Sequence, residues 1–151
     1  MTPEAALYPR HIEPRLSEAL SDTPVVLIHG PRQCRKTTLA RATLGRLLET
    51  FVFQELRRQA GWDEAPMGFF HFRDKDGAEV DVVLQRGARE LAGVEVKAAA
   101  TVTAADFRGL RKLREAAGSR FAAGVVLYHG ESSLSFGEDL HAVPIRSLWE
   151  P

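Results

Sequence analysis

Residues 79–97 constrain this chain more than any other stretch. Val80, Val82 and Leu84 alternate with Asp81, Val83 and Gln85, which is the period of a β-strand. Val94 and Val96 alternate with Glu95 and Lys97 in the same way, and the five residues 86–90 between the two runs read as a turn. The reading is therefore a hairpin, with Asp81 and Val83 on one face of its first strand and Glu95 and Lys97 on one face of its second. Paired antiparallel, the strands bring Asp81 opposite Glu95 or Lys97. Two neighbouring carboxylates repel unless a positive charge lies between them. A hard divalent cation with oxygen ligands meets that need. The same alternation also describes the solvated face of a half-exposed sheet.

The rest of the chain sets the setting for this hairpin. Its 151 residues suffice for one domain with a core, and an apolar fraction of 44% against 26% charged suits a soluble globular protein. Net charge is zero, so no global field draws the chain to nucleic acid or membrane, and an anionic partner must be held by a local patch or a metal. Cys34 is the single cysteine, so no internal disulfide forms. The longest apolar run is too short to span a bilayer, and the N-terminus lacks the basic-then-apolar order of a secretory leader. The expectation is a cytoplasmic protein without membrane contact.

Helical spacing predicts a short helix over 10–20 and a longer one over 45–59, the latter able to run on from Lys36. Residues 25–28 (Val25, Val26, Leu27 and Ile28) read as a buried strand. Strands follow at 69–73 and 121–129, with a glycine-ended turn at 74–77. A helix is expected over 103–117, with Thr103 as its cap and Phe107, Leu110 and Leu113 buried. Short strands at 134–136 and 140–143 flank Gly137, and a helical segment over 144–149 closes the domain. Two acids on the long helix, Glu49 and Glu55, each share a face with apolar residues, so either can point inward.

After the 25–28 strand comes Gly30-Pro31-Arg32-Gln33-Cys34-Arg35-Lys36-Thr37-Thr38. A phosphate-binding loop has a glycine, four residues, then Gly-Lys-Ser/Thr between a strand and a helix. Gly30, Lys36 and Thr37 fit, while Arg35 stands where the second glycine lets the backbone approach the phosphates. Residues 10–41 resemble the start of prokaryotic AAA-type ATPases that carry a C-terminal DUF4143 domain. The resemblance implies an ATP site at Gly30, Lys36 and Thr37, but this loop is degenerate. A P-loop ATPase also needs an acidic strand end for Mg²⁺ and further strands, and only a few residues separate the loop from Gly45. The expectation is a truncated AAA/P-loop segment over 1–44, its ATPase function lost, joined to a second domain over 45–151.

That second domain is similar to the PD-(D/E)XK nuclease superfamily in its order of helix, three strands, helix and strand. The matching motif is Asp81, thirteen residues, then Glu95-Val96-Lys97, with Glu49 suiting the helical acid better than Glu55. The resemblance implies an α/β fold, a mixed sheet flanked by helices, preceded here by a helix-strand-P-loop remnant. It further implies phosphodiester hydrolysis with Mg or Mn held by Asp81, Glu95 and Glu49, completed by the Val96 carbonyl and water. Lys97 would steer the attacking water or stabilise developing charge. Arg108, Arg111, Lys112 and Arg114 form a basic helix face that can hold a nucleic-acid backbone, or simply be solvated beside Asp106 and Glu115. The alternative function is a non-catalytic remnant of an ATP-binding AAA protein that works through protein or self-association. Its orphan strand at 25–28 then makes a homo-oligomer contact.

Overall fold

A computed structural model of the chain describes residues 12–22, 28, 36–63 and 65–150. The chain divides into two units, Met1–Arg46 and Leu47–Pro151. In the first, helix α1 spans Glu13–Asp22 and buries Leu16. Pro14 occupies its first turn, where a missing N–H costs nothing. Helix α2 begins in this unit and runs unbroken over Lys36–Ala60, with Gly45 inside it. The expected strand at 25–28 and the loop glycine Gly30 lie outside the described residues, Ile28 excepted.

The second unit is a six-stranded mixed sheet with helices on both faces. Strand β1 spans Met67–Arg73, β2 Glu79–Arg86, β3 Glu90–Lys97, β4 Phe121–Tyr128, β5 Leu134–Ser135 and β6 Leu140–Pro144. Their spatial order is β1-β2-β3-β4-β6-β5. The first three form an antiparallel meander, β4 lies parallel to β3, and β6 parallel to β4. The β1–β2 turn closes on Gly77 at φ 75°, where Asp74 Oδ1 accepts the N–H groups of Asp76 (2.9 Å) and Ala78 (2.7 Å).

The helix expected over 103–117 has two parts, a 3₁₀ turn over Ala104–Phe107 and then helix α3 over Arg108–Ala117. It covers one face of the sheet, where Phe107, Leu110 and Leu113 pack with Val80, Val83, Val126 and Leu140. The other face is covered by α2, whose Val52, Phe53 and Leu56 pack with Val82, Val94 and Leu127. The α3 face admits its helix through missing side chains. A Cβ on Gly93 would stand 2.5 Å from Leu110 Cδ2, and one on Gly109 only 1.9 Å from the Glu79 carbonyl oxygen. Helix α3 therefore touches the first residue of β2 directly.

Val80 does not alternate as the sequence pattern predicts. It packs on the α3 face together with Val83, whereas Val82 and Leu84 face α2. The reason is a β-bulge. Phe70 pairs with Val83 and Phe72 with Val80, so Asp81 and Val82 together oppose the single residue His71. One extra residue reverses the parity of the strand and re-aims its side chains. The expectation that Asp81 shares a face with Val83 is corrected accordingly.

Candidate functional site

The bulge lies where β2 and β3 part. Their pairing runs from Arg86↔Glu90 to Val82↔Val94, while β2 begins at Glu79 and β3 ends at Lys97. Carboxylates take the place of the missing ladder bonds. The Val96 N–H donates to Asp81 Oδ2 at 2.8 Å, and the Asp81 N–H reaches the Glu95 carboxylate. Asp81 and Glu95 therefore meet, as the hairpin reading expects, through splayed strands rather than a regular cross-strand pair.

Each carboxylate opens on its own cleft. Asp81 lines one of about 330 Å³ on the α2 side, with Glu49, Thr50, Phe53, His71 and Glu79. Glu95 lines one of about 320 Å³ on the α3 side, with Glu79, Asp106, Arg108 and Gly109. Glu79 belongs to both walls. Glu49 thus faces the Asp81 cleft. Glu55 is the acid that does not, because its buried carboxylate is held by Arg58 and by Gln59 Nε2 at 2.9 Å.

The electrostatics follow from this crowding. Burial, then the Asp81 charge, with smaller repulsions from Glu49 and Glu79, together push the Glu95 carboxyl from 4.5 up to about 8 against the opposing Asp81 N–H. One Glu95 oxygen is buried with no hydrogen-bond partner among the described residues. Burial also raises Asp81, opposed by the Val96 N–H and by the nearby His71. Lys97 does not point at the two carboxylates. Its Nζ pairs with Asp106 Oδ2 at 2.5 Å, an oxygen that also accepts from the Thr103 N–H (2.6 Å) and Thr103 Oγ1 (2.9 Å). Burial pushes the Asp106 carboxyl up, but Lys97 and Thr103 outweigh it and hold the group below its ordinary value.

The basic face of α3 is divided. Arg111 donates to the Ala104 carbonyl at 2.6 Å and lies over the Phe107 ring, and Lys112 pairs with Glu115 at 3.2 Å. Arg114 is half-buried and off the lining of the Glu95 cleft, whereas Arg108 lies on it. Lys36 and Thr37 open α2, and the rest of the expected phosphate loop lies outside the described residues. Three participants escaped the sequence reading, and Glu79, the first residue of β2, is one of them. Asp106 was signalled by the spacing Thr103-x-x-Asp106, which brings an acid back to a helix cap. His71 carried no signal, because its place in the cleft depends on the bulge opposite.

As they stand, no three acidic, histidine or cysteine side chains among the described residues come close enough to hold a metal ion. No helix among those residues is long and apolar enough to cross a membrane. No curated protein and no solved structure matches the chain. A family model does match, over residues 44–148, described as a domain of unknown function, DUF4143. That match takes in α2 from Leu44 onward, the whole sheet and α3, and the chain accordingly belongs to the DUF4143 family.

Proposed function

We propose that this chain is a nucleic-acid-processing domain of the PD-(D/E)XK nuclease kind, with a phosphodiester-cleaving site dependent on Mg²⁺ or Mn²⁺. The observation that carries the reading is the meeting of Asp81 and Glu95 where β2 and β3 part, with one Glu95 oxygen buried and unpartnered. The order of helix, antiparallel meander, helix and parallel strand supports it as well.

The donor set fits such an ion. Carboxylates are hard oxygen ligands, and Mg²⁺ keeps several waters, so one or two protein carboxylates suffice. Asp81 and Glu95 would hold the ion, with Glu49 on the Asp81 cleft. When bound, it would lower the pKa of a water and polarise a phosphoryl oxygen. The Val96 N–H orients Asp81 for this task. Lys97, two residues beyond Glu95, brings an ammonium to the α3 side to stabilise developing charge. Asp106 fixes where that ammonium sits.

The test is thermal unfolding of the native chain and of Asp81→Ala across a Mn²⁺ and Mg²⁺ titration. A ligand that binds only the folded state stabilises it by ~2.7 kcal/mol at a hundred times its Kd. The reading expects a saturating rise in the native chain, absent in the variant, followed by cleavage of single-stranded, duplex or branched DNA. An equal response of the two proteins refutes it.

A second reading is a non-catalytic domain that acts through protein or self-association. The Lys97–Asp106 ion pair favours it, because it keeps the ammonium off the carboxylates. On this reading the cation leaves the unfolding temperature unchanged, and sedimentation reports association that depends on residues 25–28. Neither reading uses ATP hydrolysis.

A further inference from the structure

We propose that the α3-side cleft is the phosphate entrance of the site, with Arg108 as the residue that takes a non-bridging oxygen of a nucleic-acid backbone. The inference rests on the nuclease reading above and adds the side of approach and the residue that anchors the strand.

Charge matching within the cleft singles out Arg108. Glu79 is paired with Arg73 at 3.0 Å, and Asp106 with Lys97 at 2.5 Å. Arg108 is the one cationic side chain on the cleft's lining among the described residues, and among those residues it makes neither an ion pair nor a hydrogen bond. It shares the cleft with Glu95, yet the two do not pair, and about 320 Å³ of open space belongs to the cleft they line. An ion held by Asp81 and Glu95 would border this cleft through Glu95, and with the Arg108 guanidinium it would clamp an anion between them. Phosphodiester chemistry fits both jaws, since Arg presents a planar fork of donors to phosphate oxygens.

Packing sets the backbone position of Arg108. Its neighbour Gly109 lies so close to the Glu79 carbonyl that no Cβ fits, which locks the first turn of α3 against β2. Among the described residues, the lining of the α2-side cleft offers no such cation.

The experiment is fluorescence anisotropy with labelled 20-nucleotide single-stranded DNA and a 20-base-pair duplex, using Ca²⁺ in place of Mg²⁺ to keep strands uncut. Salt is varied for the native chain, Arg108→Ala, Arg108→Lys and Arg89→Ala, the last at the far turn of the hairpin. Arg108→Ala is expected to raise Kd by roughly tenfold and to flatten the slope of log K against log salt by ~0.7 for single strands or ~0.9 for duplex, the signature of one lost phosphate contact. Arg108→Lys restores the slope with part of the affinity, and Arg89→Ala changes neither. Stabilisation by Mn²⁺ persists in Arg108→Ala. Wild-type affinity and slope in Arg108→Ala, or an equal loss in Arg89→Ala, overturn the proposal while leaving the metal site in force. A native chain that neither gains stability from Mn²⁺ nor binds either oligonucleotide overturns both.

Discussion

Replacing Glu95 with glutamine should make the cation-free protein more stable and less able to bind a cation. The folded state keeps the Glu95 proton up to about pH 8, whereas the unfolded chain releases it near 4.5. Between those values the folded state binds more protons, so stability falls as pH rises, and the loss is complete above about pH 8. At ~1.36 kcal/mol per pH unit the ceiling is near 5 kcal/mol. Glu95 is only half-buried, and solvent screening brings the expected penalty to roughly 2–3 kcal/mol. Glutamine is close in shape and carries no charge, so Glu95→Gln should match the native chain at pH 5. At pH 9 it should exceed it by that amount, about 4–12 °C for a chain of this size. Urea unfolding at pH 5, 7 and 9 with a chelator present measures both. Mn²⁺ should then raise the unfolding temperature of the native chain and leave the variant unmoved. Parallel pH profiles of the two proteins would refute the reasoning, because they would mean that Glu95 ionises without cost in the fold.

Other perturbations probe the frame around this pair. Gly109→Ala drives a methyl into the Glu79 carbonyl and should cost about 1–3 kcal/mol in urea unfolding, as overpacking does. Leu110→Ala empties a fully buried position under α3 and should cost about 2–5 kcal/mol by the same measurement. Glu49→Gln should weaken the Mn²⁺-dependent rise in unfolding temperature, while Glu55→Gln should leave that rise intact and lower the temperature itself by loosening Arg58 and Gln59. Asp74→Ala removes the acceptor of two turn hydrogen bonds and should cost about 1–2 kcal/mol, with the cation response unchanged.

Periodicity exposed the elements of this fold because most of its strands are half-buried and its helices one-sided. The buried stripe Phe107, Leu110 and Leu113 and the alternating strand β6 after Gly137 obey that rule. Residues that depend on contacts between distant segments were a different matter. The motif alone prefers Glu49 to Glu55, but that Glu49 faces Asp81 depends on where α2 lies on the sheet. That Lys97 turns to Asp106 depends on where the cap of α3 lands against the end of β3. Nor does any local pattern tell Arg108 from Arg111, since the distinction is which guanidinium finds a carbonyl and a ring beside it.

The bulge marks where the pattern fails and why it matters there. A regular strand through Asp81 would send Val80 to the α2 face and Asp81 to the α3 face with Val83. The extra residue instead keeps Val80 in the core under α3 and lets Asp81 open toward α2. The same disturbance ends the β2–β3 ladder, and only that gap gives Val96 a free N–H for Asp81 and gives Glu95 a backbone donor in Asp81. One irregularity therefore sets the direction of the first carboxylate and the donors for both. A bulge costs ladder bonds and is retained where it re-aims a side chain. Its coincidence with two carboxylates whose acidity burial lowers is the structural reason to seek the chemistry of this domain there.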